Sequence, residues 1–125
     1  MHFTVTNPLQ KEVHFLAIDK CVLTDSDKTH CDCAIFDNSQ FLFVEISDSK
    51  KLHRNAKRKK AKAQLSQTIT HFRENGINFP DNLNAVICFV GKKVFPVRLA
   101  STDQASLAFL IEWGAVLLEG NERKF

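Results

Sequence analysis

A chain of 125 residues, 44% of them hydrophobic, suits one domain with one buried core and leaves little room for a second. The formal net charge of +3 excludes a uniformly basic surface, but eight of the 17 Lys and Arg residues crowd positions 48–62 against a single acid, Asp48, and form a local cationic patch. The opening MHFTVTNPLQKEVHF lacks a basic segment followed by an apolar core, and no run has the length to cross a bilayer, so a soluble, cytoplasmic protein without a membrane partner is the expectation.

Residues 12–24 are rich in β-branched and aromatic side chains and end in the polar cluster DSDKTH, which predicts a strand, or two with a kink. Residues 31–36 and 41–47 are apolar stretches around DNSQ, whose Asp, Asn and Ser favour a turn, and together they predict a β-hairpin. From Leu52 to Asn75 the period becomes helical, with Ala61, Leu65, Ile69 and Phe72 on one stripe and Gly76 placed to end it. The continuous apolar run 83–90 reads as a strand buried on both faces. After Gly91-Lys92 a shorter strand, Lys93 to Val97, carries an edge signal in Pro96. Ser101 with Gln104 forms a capping-box pattern for a helix through Glu112, AVLLEG predicts a last strand, and NERKF reads as a tail. The order predicts an α/β fold, a mixed central β-sheet flanked by helices, in one domain over residues 1–125.

Four cysteines, Cys21, Cys31, Cys33 and Cys88, in a chain without a secretion signal read as reduced thiols. His30, Cys31 and Cys33 lack the paired spacing of a structural zinc site, and strand alternation predicts Cys31 and Cys33 on one face as packed core residues.

The two acids of the predicted hairpin are the unusual feature. If residues 37–40 form its loop, Phe36 faces Phe41, Ala34 faces Phe43, and Asp32 faces Glu45. Like charges directly opposite one another are destabilising. With a carbonyl from Ile46 and waters, however, two such carboxylates can hold a hard divalent cation such as Mg²⁺ or Mn²⁺. The alternatives are that one acid points to solvent, or that a Lys or Arg from the next helix neutralises the pair.

With Asp32 opening one strand, Phe43-Val44-Glu45-Ile46-Ser47 on its partner, and Lys62 to Thr68 on the following helix, the sequence resembles the PD-(D/E)XK, or restriction-endonuclease-like, nuclease superfamily over about residues 14–97. The resemblance implies that fold, with Asp32 and Glu45 binding Mg²⁺ for phosphodiester hydrolysis. Where the family carries a lysine two residues after the Glu, this chain has Ser47. On a helical wheel Lys60, Gln64, Gln67 and His71 form a stripe beside the apolar one, so Lys60 is a candidate for the missing cation and Gln64 or Gln67 for orienting water or phosphate. Lys50 is a second candidate cation, and His30, opposite Ser47 in the predicted hairpin, a candidate for proton transfer.

Lys50, Lys51, Arg54, Lys57, Arg58 and Lys60 lie next to the acids in sequence and predict phosphate contacts, because Lys and Arg draw nucleic-acid affinity from counterion release. No GxSxG, GxxxxGKS/T or HExxH pattern offers a rival site. The expected function is therefore a metal-dependent nuclease acting on DNA, alone, as a homodimer or in a larger complex. The competing expectation is a catalytically degenerate module on the same fold that binds nucleic acid or a protein.

Overall fold

The computed structural model describes residues 3–18, 31–47, 54–89, 98–99 and 103–125. In chain order these form β1 (Thr4–Thr6), β2 (His14–Ala17), β3 (Cys33–Phe36), β4 (Gln40–Ser47), α1 (Arg54–Glu74), β5 (Asn82–Phe89), β6 (Arg98–Leu99), α2 (Asp103–Trp113), β7 (Val116–Glu119) and β8 (Glu122–Lys124). The predicted strand 93–97, the Ser101 side of the capping box, and Cys21 and His30 lie outside the described residues.

The central sheet has the order β2-β3-β4-β5-β7-β6. β2, β3 and β4 are antiparallel neighbours, β4, β5 and β7 are parallel, and β6 returns antiparallel at the edge. The fold is thus a small mixed α/β protein. The β3–β4 register is the one predicted from the turn, with Phe36 opposite Phe41 and Ala34 opposite Phe43. Asp37 fixes that turn, its Oδ1 accepting from the Ser39 and Gln40 amides at 2.8 and 2.9 Å. This is the local bonding by which Asp competes for turns.

Parallel β4 and β5 need a crossover, which α1 provides. Its predicted stripe of Ala61, Leu65, Ile69 and Phe72 is buried against Phe43, Ala85, Ile87 and Leu117 of the sheet. Phe109 of α2 joins the same cluster, so both helices cover one face. Flanking by helices is therefore one-sided. The opposite face, with Cys33, Ile35, Val44, Val86 and Cys88, is covered by Phe3, Val5 and Phe125. These flank or belong to a parallel two-stranded ribbon of β1 and β8, which turns the predicted tail into structure. Arg123 ties the ribbon to the sheet, donating to Gln40 Oε1 at 3.2 Å.

Both helices end on glycine. Gly76, at φ 81°, closes α1 with Ile77 N–H on Phe72 O and Gly76 N–H on Arg73 O, the two bonds of a Schellman cap. Gly114, at φ 70°, ends α2 where the Arg73 guanidinium donates to the Trp113 carbonyl. A Cβ at Gly114 would meet Arg73 Nη2 at 3.0 Å while sitting in a left-handed backbone. Gly114→Ala is expected to lower the unfolding free energy by about 1–3 kcal/mol in chemical denaturation. Gly76→Ala, with open space around its Cβ, is expected to lower it less.

Candidate functional site

Strand alternation along β4 sends Phe43 and Glu45 to the helix-covered face and Val44 and Ile46 to the ribbon side. Glu45 therefore enters the α1 interface near the C-terminal end of the parallel strands, the end at which open α/β sheets form their ligand sites. It is only 7% exposed.

Asp32 lies just before β3, and there the hairpin departs from expectation. The regular register stops at Cys33–Val44. The Asp32 amide also turns to the Val44 carbonyl, at 3.2 Å, while its own carbonyl accepts from Ile18 at 3.0 Å. Two residues thus oppose Val44, as in a β-bulge, and the alternation is broken. Cys31 packs with the α1 cluster and Cys33 with the ribbon cluster, so the predicted shared face for these cysteines is corrected by the extra residue. Asp32 is not the ladder partner of Glu45. Its half-buried carboxylate still reaches across the hairpin, with Oδ2 accepting from the Ile46 amide at 2.7 Å, a short charge-assisted bond.

The two carboxyl groups nevertheless meet. Burial, reinforced by the neighbouring Asp32 charge, pushes the Glu45 carboxyl from an ordinary 4.5 up to about 8, although hydrogen bonding from the Gln64 side chain works against the rise. Glu45 Oε1 is buried and has no hydrogen-bond partner among the described residues. Gln64, predicted to orient groups at the site, is the α1 side chain that reaches it.

Ile46 enters the site through its amide, while its side chain packs on the ribbon face. Lys60 is exposed on α1 and forms no ion pair among the described residues. Arg58, a predicted phosphate contact, is bound within the protein. Its Nε and Nη2 bind Glu119 Oε2 and Oε1 at 3.0 and 3.1 Å, and its guanidinium lies 5.4 Å from the Phe89 ring centre. Lys57 is half-buried and partnered. Lys50, Lys51 and the Arg54 side chain fall outside the described residues.

Sequence reasoning missed Thr68. Its hydroxyl accepts from the Cys31 amide at 2.8 Å and donates to the Gln64 carbonyl at 2.7 Å. The available signal was a β-branched polar residue three positions after Leu65, beside the buried stripe. Cys31, Cys33 and Cys88 are free and buried, and burial raises all three thiols, Cys88 to about 11, so they are packed and unreactive.

Among the described residues no cluster of three or more His, Cys, Asp or Glu side chains forms a metal cage, and no helix is long and apolar enough to cross a membrane. No family model, curated protein or solved structure matches the chain.

The Glu45 carboxyl has a direct consequence for stability. The native protein retains this proton up to about pH 8, whereas an unfolded chain releases it near 4.5. Between these values the native state binds more protons, so stability is greatest below pH 4.5 as far as this group is concerned and falls as pH rises toward 8. In metal-free solution the unfolding free energy is expected to fall by up to about 1.4 kcal/mol per pH unit across this window. Glu45→Gln is expected to flatten the slope, as urea unfolding at a series of pH values would show.

Proposed function

We propose that this protein is a cytoplasmic, metal-dependent nuclease of the restriction-endonuclease-like fold that binds DNA and hydrolyses phosphodiester bonds, with Asp32 and Glu45 holding Mg²⁺ or Mn²⁺. The observation that carries this reading is the meeting of the two carboxyl groups at the C-terminal end of β4 around a buried Glu45 oxygen that has no partner among the described residues. A buried acceptor without a partner is destabilising by about 1–3 kcal/mol, which argues for an occupant that uses it. The donor set is hard oxygen, the chemistry Mg²⁺ prefers, and two carboxylates suffice for an ion that keeps several of its waters.

When bound, the ion would polarise a phosphoryl oxygen and lower the pKa of a coordinated water. The chain's own residues do the positioning. The Ile46 amide holds Asp32, and Gln64 orients Glu45. On the cationic half of α1, exposed Lys59 and Lys60 are available to phosphate. That segment has no acid in its first turn, an arrangement that a nearby anion would relieve. In the same proposal Lys50, Lys51, Arg54 and Lys57 extend the cationic surface, and a second copy lengthens the duplex that can be gripped.

A second reading is favoured by Arg58 and Ser47. With Arg58 committed to Glu119, and Ser47 where the family's lysine stands, the chain is a nucleic-acid-binding or protein-interaction module without catalysis.

Calorimetric titration with Mn²⁺ followed by plasmid incubation separates the readings. The nuclease is expected to bind Mn²⁺, to lose at least about tenfold in affinity on Asp32→Ala, and to stop cutting on Glu45→Ala. No metal binding, or cutting that survives Glu45→Ala, refutes it. Where the protein binds DNA in either case, the affinity is expected to fall steeply with salt.

A further inference from the structure

A hydroxyl in a core is destabilising unless it is bonded, so a fully buried threonine among Leu65, Ile69 and Phe72 calls for a reason. Thr68 gives its proton to the Gln64 carbonyl one helical turn earlier and thereby aims a lone pair at the Cys31 amide. That amide belongs to the residue immediately before Asp32, at the point where β3 breaks its alternation. Cys31 consequently turns toward α1 while Cys33 turns away, and the intervening Asp32 carboxylate swings to the Ile46 amide beside Glu45. The other end of the Thr68 bond is the backbone of Gln64, whose side chain reaches Glu45. One hydroxyl therefore links the backbones of the residues that place both carboxyl groups.

We propose that Thr68 is a positioning residue for the acid pair, pinning the bulged end of β3 to α1 so that Asp32 is held against the Ile46 amide and next to Glu45. Its value for metal binding rests on the nuclease reading, but the geometric claim stands apart from it. Valine has nearly the same shape and lacks the acceptor, whereas serine retains it. The conservative variants thus separate the hydroxyl from the packing.

The test is amide hydrogen exchange by NMR, with Mn²⁺ calorimetry beside it. In the wild type the Cys31 and Ile46 amides are expected to open together, with equal exchange free energies. In Thr68→Val, Ile46 is expected to lose about tenfold in protection relative to Phe43 and Val44 in the same strand, and Thr68→Ser is expected to restore it. Ile69→Val, a core change one residue away, is expected to leave that ratio unchanged. Mn²⁺ affinity is expected to fall by about tenfold in Thr68→Val and to return in Thr68→Ser.

An unchanged Ile46-to-Val44 ratio in Thr68→Val overturns the proposal, as does an equal loss in Ile69→Val. If Thr68→Val does not fold, unequal opening of Cys31 and Ile46 in the wild type overturns it and equal opening upholds it. If the wild type binds no Mn²⁺, the nuclease reading fails, and the Ile46 amide still decides the role of Thr68.

Discussion

A carboxyl group placed under a helix, beside a second carboxyl and without a basic partner among the described residues, is the constraint around which the helix-covered half of this molecule is arranged. Glu45 occupies a position on β4 that sequence period alone would fill with another phenylalanine, after Phe41 and Phe43. Burial and the Asp32 charge act together on it, so its surroundings favour the neutral acid in the absence of a cation. Gln64 is the right side chain for such a neighbour, since an amide can donate to a carboxylate or accept from a protonated acid.

The surrounding packing keeps that pair from spreading apart. A cluster of Phe36, Phe41, Phe43, Phe72 and Phe79, with neighbouring ring centres 4.7 to 6.4 Å apart, packs on the helix-covered face beside Glu45. At the outer rim the Arg58–Glu119 pair joins the early turns of α1 to the end of β7, across β5. A bidentate guanidinium over an aromatic ring has little freedom, and its fork geometry cannot be reproduced by lysine. Within the described part of the basic run, therefore, Arg58 is architectural while Lys59 and Lys60 are exposed.

The hairpin, its four-residue turn and the crossover helix were legible because each is set by local chemistry: Asp37 at the turn, a 3.6-residue stripe on α1, and Gly76 at its end. The acid pair was legible as residues, but not in its manner of approach. A bulge adds one residue to one strand without changing composition, and nothing in CDCAIF announces that Cys31 will turn toward a helix 37 residues away. Thr68 was hidden for the same reason, since its role is fixed by a partner distant in sequence. Arg58 resembled its neighbours in the run until Glu119 was brought to it. The three-residue strands β1 and β8 carry too few positions to show an alternation, and their pairing is non-local.

That last pairing determines how the domain comes apart. The β1–β8 ribbon joins segments separated by nearly the whole described chain, so its loop closure is among the most entropically demanding in the fold. Among the described residues it covers the sheet with a few apolar side chains, Phe3, Val5 and Phe125 among them. A cover built on short strands so distant in sequence is expected to open more readily than the helix-covered layer. Opening of this ribbon would bare Ile35, Val44, Val86 and Leu118, an adhesive surface, while leaving the α1 cluster in place.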